Sequence, residues 1–172
     1  MPKLYAWTLV LFLSVSTHAT ALEKVYQEPE SFVFEALGSR PHSKVLWLTR
    51  EAQAAIARIL GHGPTQLRQR YWADGGKTVW MLEEIGKEEP ITAGFVIASG
   101  RIEHARVLVY RESRGSEVRY ASFLQQFKDA TLTSDHRLNK TIDGISGATL
   151  SVSALERLSR VALYLDALSR QP

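Results

Sequence analysis

The stretch Ile91-Thr-Ala-Gly-Phe-Val-Ile-Ala-Ser-Gly-Arg-Ile-Glu-His-Ala-Arg-Val-Leu-Val-Tyr-Arg111 decides the architecture. Ile91 to Ala98 is rich in β-branched and apolar residues and runs into Ser99-Gly100, after which Arg101 to Arg111 resumes with Ile, Val, Leu and Tyr. A turn this tight leaves no room for a crossover, so the two strands are antiparallel. The pattern repeats upstream. Gln66 to Trp72 reads as a strand, Asp74-Gly75-Gly76 as a turn and Thr78 to Ile85 as the partner strand. Gly86 to Pro90 is a charged loop between the two hairpins. The four strands form a meander.

Helical signals flank this sheet. Thr49 reads as an N-cap with Glu51 in the first turn. Ala52, Ala55, Ile56, Ile59 and Leu60 follow at helical spacing, and Gly61 and Gly63-Pro64 stop the helix. Phe123, Leu124 and Phe127 suit a short helix within Tyr120 to Phe127. Val152, Leu155, Leu158, Ala162 and Leu165 mark one face of a terminal helix over Ser151 to Arg170. Leu22 to Pro41 has no clear period, and Phe32, Phe34 and Leu37 are expected to pin it to the core. Trp47, in the apolar run Val45 to Leu48, is expected in the core too. Trp72 and Trp80 are expected to be core or sheet-face aromatics. The fold class is α+β, one antiparallel sheet with packed helices.

The chain of 172 residues has 45% apolar and 23% charged residues and a formal net charge of +3. Those figures suit one soluble domain and give no basic patch of the kind nucleic-acid binders carry. There is no cysteine, which excludes disulfides, iron–sulfur clusters and thiolate zinc sites. Any redox chemistry must come from another kind of cofactor. Lys3, the apolar run Leu4 to Ser16 and Ala19-Thr20-Ala21 read as a secretory signal peptide over residues 1–21, cleaved after Ala21. A single domain over residues 22–172 follows. The expected compartment is the periplasm.

The segment that carries chemistry is Asp143-Gly-Ile-Ser-Gly-Ala-Thr-Leu-Ser151. Two glycines and an alanine lie among hydroxyl residues, directly before an amphipathic helix. Small residues admit a ligand close to the backbone, and the free N–H groups at a helix start favour an anion. Thr149 and Ser151 stand where the chain enters that helix, so a phosphate ester fits. A [ST]-G-A-[ST] tetrapeptide alone arises in ~1% of chains of this length. Asp143, Ser151 and the following helix are what single this one out.

On those residues the chain resembles the FMN-binding domain shared by the C subunit of the sodium-pumping NADH:quinone reductase, the G subunit of the Rnf complex and many exported flavoproteins. The family signature Asp-x-x-[Ser/Thr]-Gly-Ala-[Ser/Thr]-x-[Ser/Thr] is matched by Asp143, Ser146, Gly147, Ala148, Thr149 and Ser151. The hairpin Ile91 to Arg111, the loop Glu112-Ser113-Arg114-Gly115 and the segment Phe123 to Lys128 also resemble the family, so the likeness runs from Pro90 to Ser169. Arg114 stands where proline is usual. The resemblance implies FMN bonded to the Thr149 hydroxyl as a phosphodiester. Asp143, Ser146, Gly147, Ala148, Leu150 and Ser151 would surround the linkage, and Glu112, Ser113 and Arg114 would border the ring. It further implies a separate Mg²⁺-dependent transferase that moves FMN from FAD, and a redox partner such as a membrane reductase or a cytochrome. The two respiratory subunits keep a membrane helix, whereas this chain is expected to lose its own, which points to an electron carrier rather than a stand-alone enzyme.

Three other readings were weighed. The histidines form no HExxH or similar ligand pattern, so no metal site is expected. Ser146 lacks the GxSxG elbow of a serine hydrolase. A reversible FMN-binding sensor, or a non-redox interaction module without flavin, remains as the alternative from a non-enzymatic class.

Overall fold

The structure is a computed structural model and describes residues 23–38 and 42–171. The expected leader, residues 1–21, lies outside the described residues, as do Leu22 and residues 39–41 at the end of the segment read as aperiodic. The described chain forms strands β1 (Lys24–Val25), β2 (Lys44–Trp47), β3 (Arg68–Asp74), β4 (Lys77–Ile85), β5 (Pro90–Ala98) and β6 (Arg101–Tyr110). The helices are α1 (Pro29–Leu37), α2 (Arg50–Leu60), α3 (Ala121–Leu124) and α4 (Thr149–Ser169). Short 3-10 turns occupy Ser116–Arg119 and Gln125–Phe127.

The six strands make one sheet in the order β1-β6-β5-β4-β3-β2, antiparallel throughout. The expected meander is its centre, extended by β2 at one edge and by the short β1 at the other. Turns Gly75-Gly76 and Ser99-Gly100 have positive φ at both residues, the conformation that matches strand twist in a two-residue hairpin.

Strand alternation divides the core. On one face Trp80, Leu82, Phe95, Ile97, Ile102 and Val107 pack beneath α2 and α4, with Leu155, Leu158 and Leu165 fully buried. On the other, Val79, Val96 and Leu108 pack against Phe32 and Val33 of α1. This covered second face explains why β5 is apolar at nearly every position. Thr49 caps α2 as expected, its hydroxyl oxygen accepting the Ala52 N–H at 3.2 Å.

Two expectations fail. Phe32 is buried and Leu37 half-buried, but Phe34 projects into solvent from α1, a helix opened by Pro29 whose sequence shows no clear period. Trp47, expected in the core, is 68% exposed. It sits on an edge strand beyond the reach of α1, and alternation gives the inward positions to Leu46 and Leu48. Trp80 is fully buried and stacks on Tyr71 at 4.5 Å.

Candidate functional site

The chain enters α4 without a side-chain cap. Ala148 is the cap residue, buried, and its N–H donates to Ile145 O at 3.0 Å. Gly147 before it has φ 80°, which sets the tight approach to the helix. The first intrahelical bond runs from Val152 N–H to Ala148 O, so the N–H groups of Thr149, Leu150 and Ser151 precede the helical ladder. Thr149 is the first helical residue, and its side chain is exposed.

A second element faces that helix start. Tyr110, at the end of β6, is fully buried. Its hydroxyl donates to Arg114 O and accepts from the Ser151 hydroxyl at 3.0 Å. Burial raises the Tyr110 pKa above its usual value, with the Ser151 bond opposing, so the phenol stays protonated and able to donate. This bond pair ties the loop after β6 to the first turn of α4. Gly115 closes the junction with φ 81°; a Cβ there would stand 3.0 Å from the Tyr110 hydroxyl and 3.1 Å from Ser151 Oγ.

Glu112 organises the opposite wall. Its Oε1 accepts the backbone N–H groups of Lys87, Glu88 (2.7 Å) and Glu89 (3.1 Å). Burial opposes its ionisation, but the three N–H donors and the Lys87 charge outweigh it and hold the carboxyl below its ordinary value. The carboxylate is thus an anchor for the β4–β5 loop. Lys87 pairs with Glu88 at 2.8 Å, whereas the Arg114 guanidinium has no acidic partner among the described residues.

Between these elements lies a cavity of about 600 Å³, lined by Lys87, Glu88, Glu112 to Arg114, and Gly147 to Ser151. Its volume is in the range of cofactor sites. Among the residues singled out from sequence, Glu112, Ser113, Gly147, Ala148, Thr149, Leu150 and Ser151 meet here. Asp143 and Ser146 do not line it; both are exposed on the approach to the helix, where Asp143 N–H donates to Gln126 Oε1 at 2.7 Å. Lys87 and Glu88 were missed. They come from the loop read only as charged, and no local pattern shows that it folds back onto Glu112. Among the described residues no group of three His, Asp or Glu could hold a metal ion.

A loop of small residues, an exposed hydroxyl, uncommitted helix N–H groups and a free guanidinium define a binder of a phosphate-bearing cofactor. The family model of the FMN-binding domain matches residues 86–164, and the match supports a domain of that family over this part of the chain. The matched span holds every residue of the cavity wall. No curated protein and no solved structure matches the chain. The residues suit such a cofactor: the uncommitted helix N–H groups and Arg114 suit a phosphate, and Leu150, 50% exposed at the cavity, suits an apolar ring. The match supports an FMN-binding protein.

Proposed function

We propose that the protein is a redox carrier that holds FMN covalently on Thr149 and works outside the cytoplasm. The observation that carries this reading is the exposed Thr149 hydroxyl at the uncapped start of α4, at the edge of a cavity large enough for the cofactor. In the linkage, the Thr149 oxygen takes the FMN phosphoryl group of FAD. One O–P bond forms, the pyrophosphate bond breaks, AMP leaves with those electrons, and the hydroxyl proton goes to solvent. Threonine is a poor nucleophile at neutral pH, so a separate Mg²⁺-dependent transferase supplies the activation. Asp143 and Ser146, exposed beside the cavity, are placed for such an enzyme to read.

The flavin supplies one- or two-electron transfer when bound. The chain's own residues do the rest. The N–H groups of Thr149, Leu150 and Ser151 face the diester charge, and Arg114 can offset it. Glu112 keeps the Lys87–Glu89 wall in place, and the Tyr110–Ser151 bond fixes the helix start against the loop. A covalent tether keeps the cofactor at high effective concentration in a dilute compartment, which accords with the leader read at residues 1–21. Membrane reductases and cytochromes are the fitting partners.

Intact mass with and without a coexpressed FAD:protein FMN transferase tests the proposal. A mass gain of one FMN-derived phosphoryl unit on the Thr149 peptide is expected, with colour in the pellet after acid precipitation. Colour in the supernatant, or the same gain in Thr149→Ala, sinks it.

A further inference from the structure

We infer that the outer face of β2, with the positions of β3 paired to it, docks on an anionic lipid surface. β2 is the sheet edge, and among the described residues β3 is its one strand neighbour. The register pairs Val45 with Arg70 and Trp47 with Arg68. Directly paired residues share a face, so these four side chains stand together, opposite Leu46, which packs toward the α2–α4 core. Trp47 is 68% exposed and Val45 48%. The same alternation places Trp72, which packs against the α1 cluster, on their side of the sheet.

Two bare apolar side chains thus stand beside two arginines. Neither Arg68 nor Arg70 makes an ion pair among the described residues.

The chemistry selects the occupant. Indole is amphipathic and settles at the headgroup boundary. Guanidinium groups lay their stems on apolar surface and keep their charge among phosphates. A second copy of the chain fits worse, because a two-fold contact over this small face sets Arg68 and Arg70 against their own copies. The inference rests on the exposed face and stands whether or not the flavin is covalent.

The full chain, co-sedimented with phosphatidylglycerol–phosphatidylcholine vesicles and with phosphatidylcholine vesicles, tests it. Binding to the anionic vesicles is expected, with a blue shift in tryptophan emission. Arg68→Gln with Arg70→Gln should lower that partition roughly 30-fold, from the usual contribution of a cation near an anionic surface. Trp47→Ala should abolish the blue shift and weaken binding about tenfold. These exposed positions leave the fold intact, which circular dichroism checks. Contributions from the rest of the chain are common to all the proteins and cancel. Equal partition of wild type and both variants overturns the inference. So does equal binding to neutral vesicles, absence of binding to either, or a dimer that Trp47→Ala dissolves.

Discussion

Glu112→Ala should unpin the Lys87–Glu89 loop and cost about 3 kcal/mol. The figure follows from the bonding. A hydrogen bond to a charged group contributes ~1.5–3 kcal/mol, and Glu112 Oε1 accepts three backbone N–H groups. They share one oxygen, and the loop can recover water once the carboxylate is gone, so the total lies well below three full bonds. For a chain of this size 1 kcal/mol shifts Tm by roughly 2–4 °C, giving about 6–12 °C. Glu112→Gln keeps a neutral acceptor and should cost about half as much. Linkage sharpens the test. The folded-state pKa of Glu112 lies below its ordinary 4.5, so its contribution is present in full above that value and is lost as pH falls through the folded-state pKa. Urea unfolding at pH 7, 5 and 3.5 should therefore show the gap between wild type and Glu112→Gln closing toward the lowest pH. A Glu112→Ala unfolding free energy within about 0.5 kcal/mol of wild type, or a gap that ignores pH, would refute the anchor.

Two further outcomes follow. His62 bonds to Gly63 O at 3.0 Å and to the buried Glu84 carboxylate at 3.1 Å, and both raise its pKa, the Gly63 bond more than Glu84. Its stabilisation is thus complete below the ordinary histidine value and fades as pH rises through the folded-state value. Because the ring is half exposed, solvent screening keeps the effect near ~0.5 kcal/mol; unfolding midpoints between pH 5.5 and 8.5 should show it, and His62→Gln should flatten the profile. Gly115→Ala forces a side chain into left-handed backbone against Tyr110 and Ser151, at a cost of roughly 1–3 kcal/mol. Flavin loading, read as the ratio of flavin to protein absorbance, should fall with it, and wild-type loading would show that the loop position does not matter.

The hairpins were legible because their information is local. Ser99-Gly100 and Asp74-Gly75-Gly76 set the strand connections within a few residues, and the apolar runs on either side could pair in few other ways. The terminal helix was legible for the same reason, since one stripe from Val152 to Leu165 repeats at a single period. The α1 helix was not. Its buried residues Phe32 and Val33 are followed by an exposed Phe34, and the run is too short for the period to outweigh one misplaced aromatic. Trp47 failed for a different reason. Burial tendency is an average over positions, and whether an edge strand is covered depends on how far a helix 10 or more residues away extends over it.

The site divides along the same line. Its helix side, Gly147 to Ser151, is contiguous, so one short motif contains the small residues, the hydroxyl and the helix start together. Its opposing wall is assembled across the chain. Glu112 meets Glu88 from 24 residues away, and Tyr110 meets Ser151 from 41. Neither partner has a spacing that a sequence could advertise, because the contact exists only after β4, β5 and β6 have paired. Ser151 shows what this changes. In the signature it is one more hydroxyl beside the attachment point, while in the fold it is buried and joined to Tyr110. Its role is then to hold the helix start against the Glu112–Gly115 loop, leaving Thr149 as the hydroxyl that faces out.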